Sequence, residues 1–377
     1  MLPLHLPLFP TTVVGSLPRP TFVRELINDP TVSTALWHQP EKDHPQRTHR
    51  AFLINQAVAY AIALQQGAGI DIVSDGEWRR LSYIGVIAEL ATGFKLSVRD
   101  GKTWHTVVER MKLAFSAKDV ARNHEGPLYN EATFLLARAQ APWRCKIALP
   151  SPYLLGERMW APRLSRAAYP KKRDFTEALV PILQEAVRLL ALLGVRNVQI
   201  DDPHLCLLAD PTVRAKLPNP DEETAYAVSL INRVFEAAPE TVHKMVHLCR
   251  RNKGRKGWVG KGSYRPILPR LANLTADELL LEFAIPAAGA MDVLAELPKR
   301  MRIGLGCVDV RGPKIPTPEK IVLRVTEAMR LVDPSRLTLN PDCGFAPGSA
   351  HDTPLEEAYL KLRAMTEAAR ILRQAHL

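Results

Sequence analysis

Lys244-Met-Val-His-Leu-Cys-Arg250 is a short apolar run that carries two metal-capable side chains. In an extended strand, residues two apart project to the same side. His247 and Cys249 would therefore leave one strand end together. Imidazole and thiolate both suit zinc. A single His-x-Cys is a weak signal, and a buried strand with a chance His and Cys is the bland alternative. Two downstream runs give it weight. Glu282 follows Leu279-Leu280-Leu281, and Cys343 lies in Leu337-Thr-Leu-Asn-Pro-Asp-Cys-Gly-Phe345. Each potential ligand closes its own strand-like segment.

Seven further runs resemble the one at 245–249. Short, continuous apolar segments predict strands at Thr11–Ser16, Ile70–Ser74, Lys146–Leu149, Val198–Asp201, Met245–Cys249, Leu279–Phe283, Arg302–Val308 and Leu337–Asn340. Continuity rather than alternation is what strands buried on both faces require. Helical patterns separate most of them: Gln56–Gln66, ending at Gly67; Phe175–Leu193, with Leu179, Leu183, Val187 and Leu190 on one face and Gly194 after it; Asp221–Ala238; and Thr317–Leu331. Eight strands with helices between them, in one chain of 377 residues, predict an α/β fold: a single (β/α)8 TIM barrel spanning 1–377. A dinucleotide-binding fold fits less well, because no Gly-x-Gly-x-x-Gly follows the first strand.

Two insertions enlarge the minimal barrel. After the second candidate strand, residues 85–139 exceed one helix. Within them Phe94–Val98 and Thr103–Val107 flank an Asp100-Gly101 turn and predict a β-hairpin. After the fifth, Arg250–Tyr264 is basic, with glycines at 254, 257, 260 and 262. A loop of that composition directly after Cys249 reads as a mobile lid that meets an anion, or as a solvated loop.

Bulk properties exclude several classes. No window approaches the roughly 20 apolar residues of a membrane span. The N-terminus is apolar but broken by Pro3, Pro7 and Pro10, and lacks the marks of a signal peptide. A cytoplasmic protein is expected. Five cysteines at irregular spacing argue for thiols or metal rather than a disulfide framework; Cys145, Cys206 and Cys307 read as core thiols. The net charge is +11, yet aromatics are only 6% and no nucleic-acid motif accompanies the charge. An anionic small substrate is a better use of that field than nucleic acid. Oligomeric state is left open, a homo-oligomer being allowed.

Barrel enzymes collect their chemistry at the C-terminal ends of strands. The polar residues fall there: Gly15-Ser16, Asp75-Gly-Glu77, Ser151, Asp201-Asp202, His247 and Cys249, Glu282, Asp309-Val-Arg311, and Asp342-Cys343. Any one carboxylate could be a cap or loop anchor, but convergence over eight strands points to a site.

Taken together, Thr11-Thr-Val-Val-Gly-Ser16, Asp75-Gly-Glu-Trp78, Val198-Gln-Ile-Asp-Asp-Pro203, His247-Leu-Cys249, Gly306-Cys-Val-Asp-Val-Arg311 and Asn340-Pro-Asp-Cys-Gly344 resemble, in order, the catalytic barrel of cobalamin-independent methionine synthase. The resemblance implies a zinc enzyme that turns a thiol into a nucleophile. It implies His247, Cys249, Glu282 and Cys343 as ligands of one zinc ion. Gly15, Ser16, Glu77 and Asp201 would hold the thiol substrate. Zinc makes chemical sense there, since a free thiol is mostly protonated at neutral pH and coordination deprotonates it.

Departures from the pattern bear on which group is transferred. The loop after the third strand, Ser151-Pro-Tyr-Leu-Leu155, lacks the tryptophan on which the family's folate stacks. The family's proton-donating histidine is matched by Arg311, which stays charged. Arg311, beside Asp309, becomes a candidate catalytic residue that would stabilise an alkoxide. These departures, with the basic loop, suggest the epoxyalkane:coenzyme M transferase branch, in which a zinc-bound coenzyme M thiolate opens an aliphatic epoxide. The alternative is a single-barrel methionine synthase that methylates homocysteine from a non-folate donor such as a corrinoid protein. Glu77 and Asp201 favour the alternative, because coenzyme M has no ammonium group for them. A non-catalytic zinc protein and a zinc-free decarboxylase barrel are further classes that metal content would separate.

Overall fold

The computed structural model describes residues 6–28, 45–80, 82–99, 102–346 and 353–376. Six parallel strands form one sheet in sequential order: β3 (Lys146–Pro150), β4 (Asn197–Asp201), β5 (His243–Leu248), β6 (Glu278–Glu282), β7 (Arg302–Val308) and β8 (Leu337–Pro341). β4, β6 and β8 are buried at every position, which is why their sequences run apolar without alternating.

The first two predicted strands survive only as short parallel bridges, and these join the two edges of the sheet. Thr11 pairs with Leu339 of β8, Thr12 with Ile72, and Val73 with Cys145 just before β3. The ladder runs through Leu339 N–H to Pro10 O (2.8 Å), Thr12 N–H to Leu339 O (2.9 Å), Ile72 N–H to Thr11 O (3.0 Å) and Lys146 N–H to Val73 O (2.9 Å). The C-terminal helix Leu355–Gln374 ties this seam: Arg373 donates to Asp71 (2.6 Å), and Asp71 accepts from the Thr11 backbone and hydroxyl. The ring is thus a barrel with six regular strands and two abbreviated ones.

Helices lie where the periodicity placed them, with somewhat shifted ends. Pro45–Ala68 contains the predicted 56–66 segment, and Lys172–Leu192, Pro220–Phe235 and Pro318–Met329 replace the other three. Lys172–Leu192 turns Phe175, Leu179, Leu183, Val187 and Leu190 into the core. The insertion folds as expected into an antiparallel hairpin, β1 (Phe94–Arg99) with β2 (Lys102–Val107). Helices Ala117–Asn123 and Tyr129–Arg138 follow it. The Asp100-Gly101 turn lies outside the described residues, as does Met1–His5 of the N-terminal stretch. None of the described helices is long and apolar enough to cross a membrane.

One glycine shows how tightly the barrel is filled. A Cβ on Gly306 would sit 2.4 Å from Leu281 O and 2.6 Å from an oxygen of Asp342. Only hydrogen at that position lets Asp342 swing across β7 to accept the backbone N–H of Phe283 (3.0 Å) and Ala284 (2.9 Å).

Candidate metal and substrate site

At the C-terminal mouth of the barrel, His247 is the penultimate residue of β5, Cys249 follows the strand, and Cys343 follows β8. One ligand atom of each lies within 4.8 Å of those of the other two. The imidazole is aimed by its neighbour strand. Its Nδ1 bonds Leu280 O of β6 (3.1 Å), while Nε2 is buried and without a partner. The electrostatics of the trio are unsettled. Hydrogen bonding to Cys343, then burial, pushes the Cys249 thiol well up. Burial works against a charged His247, yet the Cys249 sulfur and Asp201 outweigh it and push the ring up to about 9. A cation between two sulfurs and an orphaned nitrogen would resolve all three. The donor set therefore fits a divalent metal, and two thiols with an imidazole fit zinc among them.

Glu282, the fourth expected ligand, is turned elsewhere. One oxygen accepts from the Arg250 backbone (2.8 Å) and guanidinium (3.2 Å), and the other from Arg311 (2.9 Å). All three side chains are buried. In this structure both oxygens of Glu282 are held by guanidiniums, and the ligand atoms that lie close together are those of His247, Cys249 and Cys343. Arg311 is equally occupied. It also holds Asp342 (3.0 Å) and lies 3.3 Å from Asp309. Its charge is thus shared among three carboxylates. Asp309 closes the local turn, accepting from the N–H of Arg311 and of Gly312, both at 3.0 Å.

The expected substrate residues do assemble. Gly15, with φ +56°, packs on Gly344, one residue past Cys343. A Cβ on Gly344 would come within 2.7 Å of Ser16 N. Ser16 donates its hydroxyl to Glu77, and Arg19 holds the Glu77 carbonyl (2.8 Å). Glu77 adopts φ +58°, an unusual conformation outside glycine. Gly76 precedes it at φ +69°, and Asp75 accepts the Glu77 N–H (2.8 Å). Burial pushes both Glu77 and Asp201 above the usual carboxylate range. Asp201 accepts from Gln199 (2.6 Å). One oxygen each of Asp75, Glu77 and Gln199 is buried without a donor. Asp75, Glu77 and Gln199, with Gly15, Arg80, Glu131 and Lys146, line a narrow pocket.

Sequence reasoning missed the supports of that cavity. Arg80 makes a two-pronged pair with Glu131 (2.6 and 3.0 Å). Glu131 sits in the insertion, where nothing in the sequence marks it as a partner. Lys146 donates to Val13 O from inside the barrel, and a lysine opening an apolar strand was a readable signal. The basic loop is anchored rather than free. Arg250 donates to Gly262 O and Ala288 O, Asn252 to Gly344 O, and Arg255 pairs with Glu357. Cys145, Cys206 and Cys307 are buried core thiols, as expected, and burial pushes Cys145 and Cys307 up to about 12.

Fold and site define a class: α/β-barrel enzymes with a candidate metal site of two thiols and an imidazole at the strand ends. The chain belongs to the family described as cobalamin-independent synthase, catalytic domain, whose profile matches residues 9–125 and 159–371. It is an enzyme of the methyltransferase type. A protein named methionine synthase from Saccharolobus islandicus is 27% identical over 369 residues, 98% of this chain and 96% of that one. Among solved structures, the B12-independent methionine synthase from a Shewanella species, in complex with selenomethionine, superposes with a TM-score of 0.74 at 23% identity. It covers 98% of both chains. A methyltransferase from Methanosarcina mazei reaches 0.57 at 16% identity, covering 97% of this chain and 95% of its own. These relatives shift the balance from the epoxide reading to methyl transfer. Residues 126–158, which hold Glu131, Lys146 and Arg158, lie outside the profile match.

Proposed function

We propose that the protein methylates the thiol of homocysteine to give methionine, with zinc held by His247, Cys249 and Cys343. One observation carries the substrate choice: Glu77, which lines the pocket, and Asp201, close enough to act on its charge, are buried carboxylates, with an acceptor of Glu77 and one of Gln199 left open. An ammonium group supplies a positive charge and three donors to such a pair. A substrate that brings only a sulfonate, such as coenzyme M, would face like charge there. The names of the relatives, and the selenomethionine complex of the Shewanella protein, support the same reading.

When bound, zinc keeps a substrate thiol in its nucleophilic thiolate form near neutral pH. Three protein ligands are the number characteristic of catalytic zinc sites, which keep a position for substrate. The chain's own residues do the rest. Leu280 O fixes the ring of His247, so that Nε2 faces the sulfurs. Arg250 and Arg311 restrain Glu282. Ser16 and Arg19 hold Glu77 in place for the amino group. Burial of Glu77 and Asp201 strengthens their attraction for a cation by excluding water.

The test is thiol consumption by the zinc-loaded protein, offering homocysteine or coenzyme M, each with methylcobalamin, methyltetrahydrofolate or epoxypropane. Methionine should form from homocysteine, and Cys343→Ser should lose most zinc and most turnover together. Loss of coenzyme M that depends on epoxypropane, with homocysteine inert, would overturn the reading.

A further inference from the structure

Arg80 stands beside two carboxylates and pairs with neither. It lines the same narrow pocket as Asp75 and Glu77, and its charge acts on that of Glu77. Both acids are buried, and each has an oxygen to spare. Glu77 spends one oxygen on the Ser16 hydroxyl, and Asp75 spends one on the Glu77 N–H (2.8 Å). Glu77 Oε1 and Asp75 Oδ2 have no donor. Buried carboxylate oxygens without donors are costly, and a nearby guanidinium would ordinarily close on them. Among the described residues, no ion pair joins Arg80 to either acid; its partner is Glu131.

Glu131 takes Arg80 with both oxygens, accepting from Nη2 at 2.6 Å and from Nε at 3.0 Å. Nη1 donates to Ala148 O of β3 (2.7 Å). Every nitrogen of the guanidinium is thus engaged away from the pocket acids, in the two-pronged geometry that makes an arginine–carboxylate pair strong. Glu131 is itself fixed in place. It lies in the first turn of the helix Tyr129–Arg138, where the helix dipole favours a carboxylate. The residue next to Arg80 ties that helix to the same turn, since Arg79 lies over the Phe134 ring, 4.9 Å from its centre. Gln66 ties it to the helix Pro45–Ala68 by donating to Arg138 O (2.8 Å).

We propose that Glu131 is a positioning residue that acts through Arg80: by holding the guanidinium it keeps that cation off Glu77 and Asp75, and so leaves their charge free for the cationic group of a ligand. Without the Glu131 carboxylate, Arg80 turns to the open oxygens of Glu77 and Asp75, which line the same pocket. There its guanidinium takes the place of an ammonium group. The identity of the ligand rests on the homocysteine reading, but the hold of Glu131 on Arg80 does not.

Two measurements on the zinc-loaded full chain test it. A crystal structure of Glu131→Gln should show the Arg80 guanidinium within hydrogen-bond distance of Glu77 or Asp75; a guanidinium found anywhere else overturns the proposal. Calorimetric titration of methionine, which carries the ammonium group without a thiol, should show affinity weakened at least about tenfold in Glu131→Gln. At least about fivefold of that loss should return in Arg80→Met/Glu131→Gln, where the intruding cation is gone. Undiminished affinity in the single variant overturns the proposal. So does a double variant that binds no better than the single one, because a residue that merely supported the fold would not be rescued by a second lesion. If the guanidinium moves in the crystal but the unaltered protein does not bind methionine, the homocysteine reading falls and the role of Glu131 stands. Should Glu131→Gln not fold, the double variant decides, since it leaves no buried charge unpaired. It must bind methionine where the unaltered protein does, and loss of binding would make Arg80 part of the amino-acid site rather than a cation kept out of it.

Discussion

Replacing Arg311 by methionine tests the idea that the arginine is a scaffold for carboxylates rather than a group that meets the substrate. Its guanidinium is 4% exposed and joins Glu282 (2.9 Å) to Asp342 (3.0 Å), which are 1% and 0% exposed. Removing one partner from a buried pair costs about 3–5 kcal/mol, because the other charge is left uncompensated. Here the loss has an outlet. Burial, despite Arg311, pushes Asp342 up to about 7, and without the cation it rises further. A carboxylate whose native pKa exceeds its unfolded value binds protons preferentially in the native state. Its charging therefore lowers stability as pH rises through the native pKa. The penalty of Arg311→Met should thus be about 1–2 kcal/mol at pH 6, where Asp342 takes up a proton, and about 3–4 kcal/mol at pH 8. Urea unfolding across that range measures it. Arg311→Met/Asp342→Asn should recover at least about 1.5 kcal/mol at pH 8, as a coupling energy in a double-mutant cycle. Zinc content should stay near one per chain, since Arg311 bonds none of the three ligands. A penalty flat in pH, or additive in the cycle, would refute the reasoning.

Three other expectations follow from neighbouring features. In the proposed reaction, Glu77→Gln keeps the Ser16 contact but removes the carboxylate assigned to the amino group, so KM for homocysteine should rise by about tenfold or more with kcat changed less, read by steady-state kinetics. Burial holds Lys146 down to about 8 from the 10.5 of an unperturbed lysine. The native state then loses its proton first, and stability should climb between pH 8 and 10.5 by up to about 3 kcal/mol; Lys146→Met should lack that climb in pH-dependent denaturation, and an identical climb in both proteins would exclude Lys146 as its source. Gly344→Ala drives a methyl group to within 2.7 Å of Ser16 N, so the melting temperature should fall by an amount matching about 1–3 kcal/mol, with homocysteine binding weakened beyond that.

The barrel was legible because its strands are continuous apolar runs that end in polar residues. Arg302–Val308 was placed to the residue, and Met245–Cys249 within two. The first two strands were overdrawn. Thr11–Ser16 and Ile70–Ser74 have strand composition, but only Thr11, Thr12, Ile72 and Val73 make ladder contacts; the chain then leaves the sheet to shape Gly15, Gly76 and Glu77. The two-residue spacing of His247 and Cys249 was readable, because strand geometry makes it so. The arginine partners of Glu282 were not, because Arg250 and Arg311 lie 32 and 29 residues away. Composition marks a strand-end glutamate as a possible ligand but cannot show which cations claim its oxygens.

The uneven closure of the barrel divides its labour. His247 and Cys249 issue from β5, which is flanked on both sides by full parallel ladders, whereas Ser16 and Glu77 stand where the ring is stitched by single bridges. Backbone amides at 11, 12, 72 and 73 should therefore exchange hydrogen with solvent sooner than those of β4 to β7.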